Sequence, residues 1–360
     1  MANYRVDVYD TSGNRQAVLT DFINLAYART VNTPGIISIT LHGNHPLLST
    51  IADKWVFEVW RKTDETGWIR EIVGLFRDLK WQYADNPTAT IQCDEILSML
   101  GWRIVAYKAG TTDRNKFINK KAETIANTLV KYNTTSSGTT ADGRIRIATI
   151  SGMSVEADGA SGSALDWFCA YDNLLESLQD LATIGDGDFD VVKTGANTYQ
   201  FRWYEKQLGT DKSSTLIFAL NYGNMANPSY SIERSNSASV AIVGGQGEES
   251  AREVYVCTSS DYESTLNNIE TFHSATNVDT PEGLQARGNQ ELVKKAPKAK
   301  FGFTVLQTPA CQYGEDYVLG DLVSVVNPFN SEKYTMKIVT VQISLTEDGT
   351  ETIDIGMEME

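Results

Sequence analysis

The sequence predicts a mainly β chain interrupted by an α+β insertion. Three observations lead there. Apolar and polar residues alternate with period two through the first hundred residues and again from Ser214 to the end. Between those regions lie stretches whose apolar residues recur at helical spacing. Sixteen Tyr, twelve Phe and seven Trp also lean toward pleated surfaces, on which aromatic rings pack well.

Taken in order, Tyr4, Val6 and Val8 form a strand before the turn "DTSGN", and Ile37, Ile39 and Leu41 form another. Trp55, Phe57 and Val59 follow, then Val73 with Leu75, Leu79 with Trp81, and Ala89, Ile91 and Cys93. Pro34-Gly35 and Asn86-Pro87 read as breakers. Short strands so spaced predict a closed or sandwiched β domain.

After Tyr107 the texture changes. Ile118, Ala122, Ile125 and Leu129 share a helical stripe, and Asn133–Gly143 reads as a polar loop. A clearer helix lies in "DNLLESLQDLATIG", with Leu174, Leu175, Leu178, Leu181 and Ala182 on one face. Asp172 can cap its start and Gly185 its end. "FDVV", "KTGAN" and "TYQFRWY" then predict a hairpin that sets Phe189 and Val191 against Tyr199, Phe201 and Trp203.

"TLIFAL", "ASVAIVGG" and "EVYVCTS" return to strand. A helix over 281–296 opens with Pro281, where no hydrogen-bond donor is wasted. In the closing sheet Val339, Val341, Ile343 and Leu345 share a face. Asp348-Gly349 turns the chain, and Ile353, Ile355 and Met357 return on the same parity.

Composition excludes several functions. The net charge of −15 argues against a nucleic-acid grip, which needs clustered Lys and Arg. It suits a solvated surface, or an acidic wall past which DNA slides. No apolar run approaches the roughly 18 residues of a membrane span, and "MANYRVDVYD" lacks a signal-peptide core. The expected setting is a cytosol or a particle assembled there. Cys93, Cys169, Cys257 and Cys311 lie far apart, which predicts four buried thiols rather than two disulfides.

No catalytic, cofactor-binding or metal residue emerges. His42 and His45 lie three apart in "LHGNHP" without a third ligand, and His273 has no nucleophile beside it. "DGDFD", Asp186–Asp190, lacks the later positions of a calcium loop and reads as a helix cap with an acidic turn. "VGGQGEES", Val243–Ser250, leads into a strand, so it is a bend rather than a phosphate cradle. Asn133 matches a glycosylation acceptor that means little without secretion.

Several stretches occur in a fixed order: "RIVAY", "DNLLESLQDLA", "GDFDVV", "FRWYEKQLGTD", "FALNYGNMANPSY", "VAIVGGQGE", "GLQARGNQEL", "LQTPACQYGEDYVLGDLV" and "ETIDIGM". Together the series resembles the tail-tip (baseplate) hub proteins of long-tailed, non-contractile bacteriophages, above all a branch common in phages and prophages of Gram-positive hosts. That resemblance implies a non-enzymatic structural protein with two tube-type β-barrel domains per chain, forming a pseudo-sixfold ring as a homotrimer. The implied domains are a first barrel over 1–107, with strands within 206–235 as candidates to complete it; an α+β insertion over 108–205; and a second barrel over 236–360 carrying the 281–296 helix.

The implied partners are the tail tube, distal tail protein rings and other tail-tip or fibre proteins. DNA would pass through without specific binding, no membrane would be entered, and no cofactor would be held. The implied location is the tail tip of the virion, assembled in the host bacterial cytoplasm. The last strand ends the chain, so any wall-degrading or receptor-binding domain is expected on a separate polypeptide. The competing readings are a cell-wall carbohydrate-binding or carbohydrate-cleaving protein and a capsid or head–tail connector. Against the carbohydrate reading, Trp55, Trp60, Trp81 and Trp203 are expected in strand cores.

Overall fold

The computed structural model of the chain describes residues 3–63, 66–83, 85–106, 115–138, 149–265, 267–276, 278 and 280–359. The N-terminal half is built from β1 (Asn3–Tyr9), β2 (Arg15–Leu19), β3 (Asn24–Thr30), β4 (Thr33–His42), β5 (Val56–Lys62), β6 (Trp68–Gln82) and β7 (Thr88–Glu95). The insertion holds β8 (Asn115–Lys121), α1 (Ala122–Thr134), β9 (Met153–Val155), β10 (Ala164–Cys169), α2 (Leu174–Gly185), β11 (Gly187–Gly195) and β12 (Thr198–Glu205).

The C-terminal half runs through β13 (Ile217–Phe218), β14 (Met225–Glu233), β15 (Val240–Gly244), β16 (Val254–Thr258), β17 (Glu270–Ser274) and α3 (Pro281–Lys294). It closes with β18 (Lys298–Val305), β19 (Leu322–Val326), β20 (Lys333–Thr346) and β21 (Glu351–Met359). The chain is mainly β, as the alternation predicts.

The two halves follow one plan. In the first, the hydrogen-bonded order is β3-β4-β7-β6-β5. In the second it is β14-β18-β21-β20-β19. Each set takes its five strands, counted along the chain, in the order first, second, fifth, fourth, third. The halves meet where β20 pairs antiparallel with β3, from Thr340 opposite Thr30 to Thr346 opposite Asn24. That joint makes one continuous sheet, and one core runs through it: Leu25, Tyr27, Ile37, Ile39 and Ile91 pack with Phe301, Phe303, Val341, Ile343 and Ile355.

The insertion covers the outer face of the first half. Val56, Val73, Leu75 and the short 3-10 helix Ile96–Trp102 share a second core with Ile125, Leu129, Trp167, Leu178, Phe189 and Phe201. Strand β5 shows the division: Phe57 and Val59 face the first core while Val56 faces the second. A smaller sheet, β16-β15-β17, sits between β14 and β18 in sequence and is covered by α3. Gly288 is required there, because a Cβ would stand 2.3 Å from the Cys257 sulfur.

Several expectations change. Strands within 206–235 pair with the C-terminal half, β13 with β19 and β14 with β18, because their inward residues match the apolar faces of those strands. Strands β15 to β17 stay outside the large sheet. Pro34-Gly35 lies inside β4, with the Gly35 N–H donating to Glu95 at 2.7 Å. A Cβ there would meet the Ala28 carbonyl at 2.3 Å, so the glycine admits a close crossing rather than a break.

Residues 73–81 form one long strand, not two, with a bulge at Arg77. A matching bulge removes Val339 from the inward face that Met336, Ile338, Val341, Ile343 and Leu345 occupy. Ile118 stands on β8, so α1 starts at Ala122. The N-cap of α2 is Asn173, whose side chain accepts from the Leu175 and Glu176 N–H groups, and the left-handed cap falls on Asp186. Helix α3 ends at Lys294. The 107/108 boundary and residues 139–143 of the expected loop lie outside the described residues.

Candidate functional site

Most features weighed for chemistry have a structural employment, while His42 is simply exposed at the end of β4. His45 caps a short turn by accepting from the Leu47 N–H at 3.2 Å. His273 lies 3.6 Å from Glu291, and burial lowers its pKa below the ordinary histidine value. Asn133 is buried; it accepts from the Ala106 N–H and donates to the Leu129 carbonyl. The four cysteines are free and buried, and burial pushes the Cys169 and Cys311 thiols up to about 12. Among the described residues no cluster of His, Cys, Asp and Glu could hold a metal ion. No described helix is long and apolar enough to cross a membrane.

What the fold does assemble is a set of buried ion pairs where the two halves and the insertion meet. Arg29, on the strand at the joint, donates to Glu95 at 2.9 Å and to Asp190 of the hairpin β11-β12 at 3.0 Å. Burial works against the Arg29 charge, but Glu95 and Asp190 outweigh it and keep its pKa raised. Asp188 accepts from Asn32 and pairs with Lys337, so the hairpin grips both halves. Thus the acidic turn "DGDFD" does hold cations, but they are side chains from distant strands.

Two further groups flank it. Lys193 and Glu58 pair at 2.7 Å with both side chains almost fully buried. Arg61 donates to Glu351 at 2.9 Å and to the Tyr313 carbonyl, while Tyr4 also bonds Glu351. The Tyr313 hydroxyl donates to Glu71 at 2.8 Å. Burial raises the Glu71 pKa, against the pull of Tyr313, Arg61 and Arg29. A cleft of about 100 Å³ opens onto Arg29, Arg70, Glu71, Glu95 and Asp190. Its acids are matched by cations or by a phenol: Glu95 and Asp190 by Arg29, and Glu71 by Tyr313.

Sequence reasoning passed over these residues. The available signal was charge at inward strand positions, as in "VFEVWRK", where Glu58 sits between Phe57 and Val59. The tryptophans divide: Trp203 is buried, but Trp81 is 51% exposed and stacks tilted beside Tyr83 at 5.8 Å, correcting its expected place in a strand core. Beyond the bulge the strand outruns the cover that the core supplies.

A protein-family model described as Siphovirus ReqiPepy6 Gp37-like protein matches residues 5–357. The chain belongs to that family. The Gp37-like chain shares its fold with a 43 kDa tail protein of prophage MuSo2 from Shewanella oneidensis, at a TM-score of 0.60 and 15% identity, covering 98% of both chains. It is also similar to prophage tail protein gp18 from Listeria monocytogenes EGD-e, at a TM-score of 0.55 and 13% identity, covering 98% of this chain and 94% of the other. A tail protein from Neisseria meningitidis MC58 gives 0.56 and 11%, covering 99% and 97%. No curated protein matches the sequence. The resemblance carried by the ordered motifs is met at the level of phage family and tail-protein fold.

Proposed function

We propose that this Gp37-like protein is the structural hub of a siphoviral tail tip. It is a non-enzymatic homotrimer joining the tail tube and distal tail protein rings to other tip or fibre proteins. The observation that carries this reading is the repeated strand order of the two halves, joined edge to edge in one sheet. Two like units per chain let three chains present six similar units to a sixfold tube, a symmetry match that a single unit could not make with three copies. In this reading the halves are the tube-like domains, and the buried ion pairs hold the insertion at a set angle on the ring.

The charge balance of −15 fits a channel wall that DNA passes without sticking. On the lumen face Asp and Glu outnumber Lys and Arg, and the protein resides in the virion after assembly in the host bacterial cytoplasm. Electron microscopy of the chain produced with its neighbouring tail proteins is the test. The expected result is a three-chain ring with six similar lobes and an acidic central hole. A lumen lined with basic side chains would refute the channel, and chains that join no tail particle would refute the hub.

One observation favours the second reading, a cell-wall carbohydrate-binding or carbohydrate-cleaving protein. Trp81 and Tyr83 form an exposed aromatic pair of the kind that stacks on sugars. Retention on purified cell walls that Trp81→Ala abolishes would support it; an unretained chain ends it.

A further inference from the structure

The shared strand plan leaves one position filled inside the chain and its counterpart open. Strand β20 serves two neighbours: Lys333–Lys337 pairs with β19, and after the bulge Thr340–Thr346 pairs with β3. Its counterpart β6 is built alike. Trp68–Leu75 pairs with β5, a bulge falls at Arg77, and Asp78–Gln82 continues paired to β7. On its other edge Asp78–Gln82 has no strand among the described residues. The counterpart of β3 is β14, whose outer edge is likewise free at the end of the sheet.

We propose that Asp78–Gln82 of one copy pairs antiparallel with the free edge of Ser229–Glu233 on a second copy, repeating the β20–β3 joint between chains. The ladders supply the register. Leu79 lies opposite Ile91 as Val341 lies opposite Ile355, so Leu79 corresponds to Val341 and Trp81 to Ile343. Tyr27 lies opposite Ile37, and Tyr230 opposite Phe301, so Tyr230 corresponds to Tyr27 and Ile232 to Arg29. Since Ile343 pairs with Tyr27 and Val341 with Arg29, the new joint sets Trp81 against Tyr230 and Leu79 against Ile232.

Three of these four are left bare, and Tyr230 is half-buried against the core. Leu79 is 40%, Trp81 51% and Ile232 50% exposed, whereas Ile343 and Tyr27 at the filled joint are buried. An apolar groove of about 480 Å³, lined by Tyr230, Ile232, Phe301, Pro328 and Phe329, adjoins the receiving edge. Its occupant is thus a second copy of this chain, chosen by apolar match along the ladder as well as by backbone bonding. One pair opposes charges of like sign, Asp78 and Glu233, but Lys300 stands 3.4 Å from Glu233 and offsets it. The contact is head-to-tail, with different edges on the two partners, so each copy keeps one edge for the next. The inference deepens the hub reading and rests on it for closure of the ring.

Two variants test it in the full chain, with mass measured by light scattering across a concentration series and, in parallel, after production with the neighbouring tail proteins. Trp81→Glu spoils the donor edge and Ile232→Glu the receiving edge; both sites are exposed, so circular dichroism and melting should match the parent. Each alone weakens self-association about thirtyfold or more, the size of an interface hot spot. An equimolar mixture stops at dimers, because one intact edge remains on each.

Cysteines at Lys80→Cys and Ser231→Cys, on separate chains, cross-link only when mixed. Normal assembly by both variants, or cross-linking of Lys80→Cys to itself, overturns the inference. So does a parent chain that stays monomeric even beside its tail neighbours. Rings that form without the cross-link keep the hub reading and discard this contact. A cross-linked assembly that is no part of a tail does the reverse.

Discussion

The β20–β3 joint and the free edges of β6 and β14 are built on the same strand plan, yet only the first is closed within the chain. At the closed joint Ile343 faces Tyr27, both inside the large core, and Thr30 meets Thr340 side chain to side chain at 3.2 Å. The insertion then locks it through Asp188 and Asp190. At the open edges the same pleat carries Leu79, Trp81 and Ile232 to the surface, interspersed with Arg77, Asp78 and Lys80, and Pro228 lies in the receiving strand. Charges and a proline on an edge hinder indiscriminate strand addition. The closed edge is held by burial and salt links, whereas the open edges carry charged side chains and a proline that restrict which strands can add to them.

Four substitutions separate the closed joint from the open edges, in decreasing order of expected cost. Glu58→Leu leaves the buried Lys193 ammonium without its partner and should cost about 3–5 kcal/mol in denaturant unfolding. Adding Lys193→Met to that variant should recover most of the loss; a double variant as weak as the single one would mean the pair does not act as a unit. Ile343→Ala, at the closed joint, should lose about 2–5 kcal/mol by the same measurement.

Gly35→Ala forces the crossing of β4 and β3 apart and should cost about 1–3 kcal/mol. A variant as stable as the parent would show that this approach is not needed. Trp81→Ala, at the open edge, should change the stability of the isolated chain by less than about 0.5 kcal/mol, as exposed sites do. A large loss there would mean that the edge is already covered within the chain.

Much of the fold was legible. Alternation placed β1, β4, β5 and β7; the hairpin β11-β12 sets Phe189 opposite Trp203 and Val191 opposite Phe201 as its turn implied; Thr280 and Pro281 opened α3. Local signals suffice where one face of one element decides the residue types. The candidate site was far less legible. Arg29 and Glu95 lie 66 residues apart, and Arg61 and Glu351 lie 290 apart. A charged residue within an apolar strand shows that some partner exists but not which one.

From residues alone the chain was legible as mainly β and acidic, and its ordered motifs resembled those of phage tail proteins, because period, composition and motif order are properties of short stretches. Tertiary structure decided the rest. A bulge of one residue at Arg77 and at Val339 reverses which face is inward. Pairing across more than three hundred residues joined β20 to β3. Which edges close and which stay open follows from that long-range pairing, since a backbone edge offers the same hydrogen bonds to any strand and only packing around it selects one.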